Sequence, residues 1–315
     1  SWLNLRNKDT MKTNNFSAST IAPPTTDFQL TSNQRYGYNV AGNAVGTHIA
    51  IAAPNFYSNI VKTYGKIYTY RKSSTGTSRL VYSGGIYPNI SASDTYFTGT
   101  NVSMFGQSIK LDPSAGTTAT LFISAPLASY VKDTEETNRL SRVDLAEPTN
   151  TKLEQGIVKI VRYNFEISAN VREWAITSPS AQTSARFGSD MFVGSISTTT
   201  KMLFVSSPGQ DSNKGAVHYS KLEIDGNDLT IFTSTNIALS TAGLSANSFF
   251  GTSIAGNADG SVIAVAAPGA ESGAGAVNIY YSTDYDSYIK TQTITVEDMF
   301  VENVVQEGDK FASKI

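Results

Sequence analysis

The sequence predicts an all-β fold, a β-propeller of four-stranded blades. One signature occurs four times: an aromatic–Gly pair, a strand of small and branched apolar residues that ends at a Pro, and a third strand opened by a Gly. Units of about 60 residues with four short strands are typical of repeat architectures, and radial units of this kind form propellers. Charged residues make up only 16% of the chain, against about 25% in an average soluble protein. This composition suits many short strands joined by polar turns.

The spacing of the signature is steady where strands are predicted and variable where loops are predicted. The aromatic–Gly pairs are Tyr36-Gly37, Phe105-Gly106, Phe187-Gly188 and Phe250-Gly251, and Phe311-Ala312 repeats the opening once more. The Gly positions 37, 106, 188, 251 and the final 312 lie 69, 82, 63 and 61 residues apart. The strand-closing Pro follows its Gly by 17, 20, 20 and 17 residues, whereas the Gly of the third strand follows that Pro by 11, 30, 7 and 7.

Each part of the signature has a physical reason in a propeller. Small side chains in the second strand let neighbouring sheets pack closely near the axis. The Gly after the aromatic suits a close backbone approach or a positive φ, both of which a Cβ would obstruct. The aromatic is expected to wedge between adjacent blades and to bury about 150–250 Å².

These units divide the chain as one propeller domain, residues 1–315. A partial blade is predicted for 1–35, complete blades for 36–104, 105–186, 187–249 and 250–310, and the start of a further blade for 311–315. The two ends would together supply an incomplete fifth unit. We therefore expect a segment of a longer, seven-bladed ring. The alternative is a five-bladed ring closed by its termini.

The units resemble FG-GAP repeats, the blades of the integrin α-subunit head and of many secreted proteins. The Phe-Gly pair is kept in three units and becomes Tyr36-Gly37 in the first. The Gly-Ala-Pro triplet corresponds to Ala52-Ala53-Pro54, Ser124-Ala125-Pro126, Ser206-Ser207-Pro208 and Ala266-Ala267-Pro268. The resemblance covers nearly the whole chain and implies a surface propeller. Some FG-GAP proteins are enzymes whose chemistry lies in a separate domain.

The same resemblance raises the question of calcium, because many FG-GAP blades carry a calcium loop between strands one and two. Calcium prefers six to eight oxygen ligands. Matching the loop onto the fourth unit gives Asn257 and Asp259 as ligands, but Ala255 and Ile263 stand at two other ligand positions. We expect a β-turn here and no cofactor, with calcium at Asn257 and Asp259 as the alternative.

Catalytic motifs are scarce in this chain. It has no Cys and two His, His48 and His218, and no pair of carboxylates stands at a spacing typical of an acid/base couple. The prediction is that the chain is not an enzyme. The net charge is −2 and basic residues are not clustered, so the sequence does not predict a surface that binds nucleic acid. The sequence contains no uninterrupted apolar run of about 18 residues, so no membrane-spanning helix is predicted.

The predicted contact residues lie in loops that join the second and third strands. The insertion Leu127 to Gln155 concentrates charge in a charge-poor chain, and its candidate residues are Lys132, Asp133, Glu135, Glu136, Arg139 and Arg142. Long loops on rigid scaffolds often carry binding, although a solvated loop is the alternative. The equivalent loop of the first unit offers Asn55, Phe56 and Tyr57, which would suit a protein or glycan if exposed.

The favoured function is an extracellular or surface recognition and adhesion propeller that binds protein or glycan through its face loops. One alternative is a structural repeat of an extracellular appendage, filament or virion shell. Another is an accessory propeller of a secreted enzyme. Each alternative places the chain outside the cell, on the cell surface or on a virion exterior, with a ligand or copies of itself as partners.

Overall fold

The computed structural model describes residues 21–24, 34–58, 63–74, 80–88, 103–112, 116–128, 154–180, 182–226, 228–231, 237–296, 298 and 311–315. Seventeen strands form four antiparallel sheets. Sheet 1 contains β1 (Val40–Gly42), β2 (His48–Ser58), β3 (Thr63–Lys72) and β4 (Leu80–Ile86). Sheet 2 contains β5 (Ile109–Leu111), β6 (Thr118–Ala125), β7 (Ile157–Asn164) and β8 (Ala169–Thr177).

The other two sheets repeat this plan. Sheet 3 contains β9 (Met191–Ser195), β10 (Thr200–Ser207), β11 (Ala216–Asp225), β12 (Asp228–Ile231) and β13 (Ile237–Ala238). Both β12 and β13 pair with β11, so together they fill the fourth position. Sheet 4 contains β14 (Ile254–Gly256), β15 (Val262–Ala267), β16 (Ala276–Tyr281) and β17 (Ile289–Thr295).

Helix is almost absent from the described part of the chain. It is limited to a short turn at Gln210–Asn213 and a 3₁₀ turn at Glu271–Gly273. No helix among the described residues has the length and apolarity needed to cross a membrane. The predicted all-β class is confirmed, with strands hydrogen-bonded in sequence order in every sheet except for β13, which pairs with β11.

The first strands of consecutive sheets contact one another, and this gives a propeller-like arrangement. The first strand β5 contacts both β1 and β9, and β9 also contacts β14. An apolar core fills each space between consecutive sheets. Each sheet falls within one of the four unit ranges predicted from the spacing.

The aromatics of the second, third and fourth signatures lie in the core between their own sheet and the preceding one. Phe105, Phe187 and Phe250 are at most 1% exposed. Phe187, for example, packs in one cluster with Phe122 and Val158 of sheet 2. The expected aromatic wedge is therefore present at these three junctions.

The Gly after the aromatic is required for two reasons. Gly106, Gly188 and Gly251 all have φ between +92° and +94°, a region that disfavours residues with a Cβ. A Cβ on Gly251 would also lie 2.8 Å from the Cβ of Ser206 in the second strand of sheet 3. Each of these glycines therefore lies against the small residue two places before the Pro of the preceding unit. The close contact is possible because both residues are small.

The Gly that opens the third strand is the other half of this junction. A Cβ on Gly156 would lie 2.0 Å from the carbonyl oxygen of Phe187, and one on Gly215 would lie 2.2 Å from that of Phe250. The amide of Phe250 donates to the carbonyl of Lys214 at 3.0 Å. The backbone of one unit thus rests directly on the third strand of the unit before it.

Candidate functional site

The end of the sheets that carries the variable loops is the candidate site. Successive strands are antiparallel, so connections from second to third strands and from one sheet to the next emerge at the same end. We call this the loop end. The connections from first to second and from third to fourth strands emerge at the opposite end, the turn end. β2 and β6, after which the sequence predicts the two contact regions, both end at the loop end.

Backbone hydrogen bonds hold the loop end together across sheet boundaries. The amide of Gly209 donates to the carbonyl of Ala185 at 3.2 Å, and the amide of Gly269 donates to that of Ser248 at 3.1 Å. Each bond joins the segment leading into a sheet to the loop between the second and third strands of that sheet. Each of these loops is therefore hydrogen-bonded to the segment that leads into its sheet.

Polar side chains add further ties at this end. Gln182 donates through Nε2 to Asp211 Oδ1 at 2.7 Å, and its Oε1 accepts from the Asp211 amide at 2.9 Å. Arg186 pairs with Glu154 at 3.3 Å, with both side chains substantially exposed. Exposed ion pairs contribute only about 0–1 kcal/mol, so their value here is mainly in fixing side-chain position.

One exposed position of the loop end differs in chemistry from sheet to sheet while its backbone stays the same. The residue before the aromatic is Arg35, Met104, Arg186 or Phe249, and all four have φ between +52° and +57°. Such a conformation is uncommon outside glycine. Met104 is buried, whereas the other three are exposed. The fold therefore exposes Arg35, Arg186 and Phe249 in a shared backbone geometry, in which Met104 is buried.

Arg35 stands beside an exposed aromatic ring. Its guanidinium carbon lies 5.8 Å from the ring centroid of Tyr38, which is 44% exposed. Phe249, 39% exposed, occupies the position of Arg35 in sheet 4. Arginine and aromatic side chains dominate the energetics of many protein interfaces. Sequence reasoning missed these residues because it sought contacts only in the longest loops.

The predicted contact residues of the first unit are placed differently from the expectation. Asn55, Phe56 and Tyr57 belong to β2, which continues as a hairpin with β3, and Tyr57 pairs with Tyr64. The expectation that these aromatics lie exposed on a loop is wrong for Phe56, which is 4% exposed. Tyr57 is 38% exposed, with its ring 4.9 Å from that of Tyr64.

Phe56 is buried because it forms part of an aromatic cluster around a buried lysine. The Nζ of Lys66 lies 5.0 Å from the ring centroid of Phe56, 4.3 Å from that of Tyr68 and 5.3 Å from that of Tyr87. Lys66 is 1% exposed. Cation–π contacts of this kind stabilise a desolvated ammonium by roughly 2 kcal/mol. Phe56 is thus a packing residue, whereas the contact role of Tyr57 remains a prediction.

The other predicted contact residues, Lys132, Asp133, Glu135, Glu136, Arg139 and Arg142, lie outside the described residues. The described ends of their insertion still show where it starts and finishes. The amide of Leu127 donates to the carbonyl of Ser103, and that of Gly156 donates to that of Ala128. The insertion therefore leaves and re-enters sheet 2 at the loop end.

The possible calcium ligands lie at the turn end, within a closed turn. The Oδ1 of Asn257 accepts from the amide of Val262, and the Oδ1 of Asp259 accepts from the amide of Ser261, both at 2.9 Å. The second Asp259 oxygen accepts from the Tyr285 hydroxyl at 3.2 Å. These bonds favour the charged form and lower the pKa of Asp259. Among the described residues, no three His, Cys, Asp or Glu side chains come together as a metal site.

The same turn recurs in sheet 1, where Asn43 takes the place of Asn257. Asn43 Oδ1 accepts from the amides of Thr47 at 2.8 Å and His48 at 3.1 Å, as Asn257 does from Val262. Val45 takes the place of Asp259. The Asn is therefore a turn-forming residue that the two units share.

The two histidines are buried in strands. Burial lowers the pKa of His48, and it lowers the pKa of His218 to about 4, against the opposing effect of Asp211. The Nε2 of His218 lies 3.1 Å from Gln210 Oε1, and its Nδ1 is buried without a hydrogen-bond partner. His218 thus sits directly beneath a loop of the loop end.

A buried carboxylate near the axis was missed by sequence reasoning. Asp190 accepts four hydrogen bonds, from the hydroxyls of Ser108 and Ser253 and from the amides of Met191 and Ile254. These donors come from sheets 2, 3 and 4. With all four bonds made inside the fold, Asp190 holds the first strands together.

No protein-family model matches this chain, and no curated protein matches it. A solved structure that is similar to it is a periplasmic gluconolactonase of Pseudomonas aeruginosa. The similarity covers 82% of this chain and 85% of that one, with 9% sequence identity and a TM-score of 0.23.

This comparison corrects one expectation. The sequence predicted that the chain is not an enzyme, and the similar structure is an enzyme. The exclusion of enzymes is therefore withdrawn. At a TM-score of 0.23 the likeness assigns no activity, substrate or catalytic residue to this chain.

Proposed function

We propose that the chain is an exterior recognition propeller that binds a protein or glycan ligand through its loop end. Its four sheets are FG-GAP-type blades, and the ring to which they belong has seven. This proposal takes its support from the recurring signature and from the geometry of the loop end. The proposed location is outside the cell, on the cell surface or on a virion exterior.

The observation that carries the proposal is the repeated position before the aromatic. It presents Arg35, Arg186 and Phe249 from three sheets in one backbone geometry, with Tyr38 next to Arg35. Hydrogen bonds between neighbouring loops keep these side chains in place. A surface that is ordered before binding loses less conformational entropy when a ligand arrives.

The test is a binding screen with matched surface variants. The labelled chain is applied to a printed glycan array and, by surface plasmon resonance, to immobilised fibronectin, laminin and collagen. We expect binding to at least one probe, with an affinity at least about tenfold lower for Tyr38→Ala and for Phe249→Ala. The control is Val45→Ala, because Val45 is 60% exposed at the turn end. Binding to none of the probes, or an equal loss with Val45→Ala, would contradict the proposal.

A further inference from the structure

Sheet 4 has an apolar face that is covered in every other sheet. On the second strand, the residue six places before the Pro is His48, Thr120, Met202 or Val262. The first three are at most 6% exposed, whereas Val262 is 37% exposed. The face on which these residues lie is turned toward the next sheet in the chain, as the cores show.

The third strand repeats the contrast at matched positions. Four residues after the strand-opening Gly stand Thr69, Ile160, Tyr219 and Ile279. Thr69 and Ile160 are fully buried and Tyr219 is 4% exposed, but Ile279 is only partly buried. Ile160 is covered by sheet 3 and Tyr219 by sheet 4.

The open part of sheet 4 forms one apolar stripe across three strands. Val262 pairs with Tyr281, and Tyr281 pairs with Ile289, so the three side chains project from the same side of the sheet. They are 37%, 45% and 69% exposed. Contiguous exposed apolar patches are features that mark interaction sites, whereas single exposed apolar residues are ordinary surface.

The covered part of the same face shows what kind of partner fits. Phe311 and Ala312 pack on Ala266 and Val277, as Phe250 and Gly251 pack on Ser206 and Val217 one unit earlier. The amide of Phe311 donates to the carbonyl of Ala274 at 2.8 Å, which repeats the bond from Phe250 to Lys214. Residues 311–315 thus occupy the place of the segment that leads into a first strand on this face.

We infer that the open face of sheet 4, formed by Val262, Ala264, Ile279, Tyr281 and Ile289, is the docking surface for a further four-stranded sheet of the same repeat type, with residues 311–315 leading into its first strand. The established junctions between sheets 1, 2, 3 and 4 supply the geometry. The inference rests on the proposed ring and is independent of ligand binding at the loop end.

Cysteine labelling tests whether the face is open, and the chain suits it because it contains no native Cys. Val262→Cys and its matched control Met202→Cys stand at the same position in sheets 4 and 3. In the native chain we expect a maleimide to label the first roughly 100-fold faster than the second, since Met202 reacts only after local opening. Equal protection of the two would show that the face is already covered and would overturn the inference.

A designed extension tests the nature of the partner. Residues 311–315 align with Phe250–Ile254, so a second copy of residues 255–298 is fused after Ile315. A parallel extension with residues 192–249, aligned through Met191, guards against a failure of one added sheet to fold. We expect either extension to slow labelling of Val262→Cys toward the rate of Met202→Cys.

Two outcomes would overturn the proposal of a repeat-type partner. In the first, labelling stays fast with both extensions. In the second, the unextended chain forms dimers in analytical ultracentrifugation that an Ile279→Asp substitution abolishes, which would assign the face to a second copy. Neither outcome alters the glycan and protein screen, so failure here is distinguishable from failure of the proposed function.

Discussion

At the scale of the residue, His218 shows how a buried group couples the loop end to pH. It lies in β11 with Nε2 against Gln210 Oε1 and with its ring 6.1 Å from that of Phe187. Burial disfavours the imidazolium there, and the nearby Asp211 only partly offsets this cost. The folded pKa of about 4 therefore lies below the ordinary value of 6.5.

The sign of the pH effect follows from that order of pKa values. Above pH 6.5 the side chain is neutral in both states and has no pH-dependent effect. Below it the unfolded chain binds a proton first, so stability falls until the pH reaches the folded pKa. Between pH 6.5 and 5 we expect His218 alone to cost about 2 kcal/mol.

Urea unfolding between pH 7.5 and 5 measures this loss. His218→Gln should remove most of the decline, and His48→Gln should remove a further part, because burial also lowers the pKa of His48. If the His218→Gln protein lost as much stability as the native chain over this range, His218 would not be the cause of the decline.

At the scale of the element, Asp190 joins three first strands. Its Oδ1 accepts from Ser108 in sheet 2, and its Oδ2 accepts from Ser253 and the Ile254 amide in sheet 4. A buried donor that loses its charged acceptor costs about 1–3 kcal/mol. The carboxylate, which directly precedes β9, is thus a junction between elements.

We expect Asp190→Ala to lower the free energy of unfolding by roughly 3–5 kcal/mol, since it leaves several buried donors without an acceptor. Asp190→Asn should lose less, because one amide oxygen still accepts. Chemical denaturation provides the measurement, with Asp211→Ala as the exposed control at the loop end. Comparable losses for Asp190→Ala and Asp211→Ala would show that the junction contributes little.

The elements also show what the sequence could and could not reveal. The steady spacing from each Gly to its Pro predicts the second strands because their packing requires small residues such as Ala52 and Ser124. It does not predict that β2 runs on to Ser58 and buries Phe56 against Lys66, because a strand extension depends on pairing with Tyr64 and Thr63. It also could not show Asp190, whose donors lie in three different units.

The exposed residues of the candidate site could not be found from the sequence either. Arg35, Arg186 and Phe249 share a position in the repeat, but nothing local to each residue marks it as exposed. Their exposure depends on the surroundings in the folded chain, because Met104 has the same left-handed backbone and is buried. The charged insertion was visible from composition alone, and its six candidate residues remain predictions.

At the scale of the whole molecule, the repeated signature serves to pack one unit against the next. The aromatic–Gly pair and the Gly of the preceding third strand exist so that one unit can rest on the backbone of another. In the proposed function, ligand binding depends on side chains that differ between units at the loop end, and the open face of sheet 4 is proposed to dock a further sheet.

The most direct test is a Gly→Ala comparison by chemical denaturation that separates packing from backbone strain. Gly156 and Gly215 have φ of +85° and +89°, and a Cβ on either would lie 2.0 or 2.2 Å from a carbonyl oxygen of the next unit. Gly243 has φ of +86°, but a Cβ there would meet nothing within 4 Å. We expect Gly243→Ala to cost about 1–2 kcal/mol from strain alone. Gly156→Ala and Gly215→Ala should each cost about 1–3 kcal/mol more, and equal losses at all three sites would contradict the claim that these glycines hold the units together.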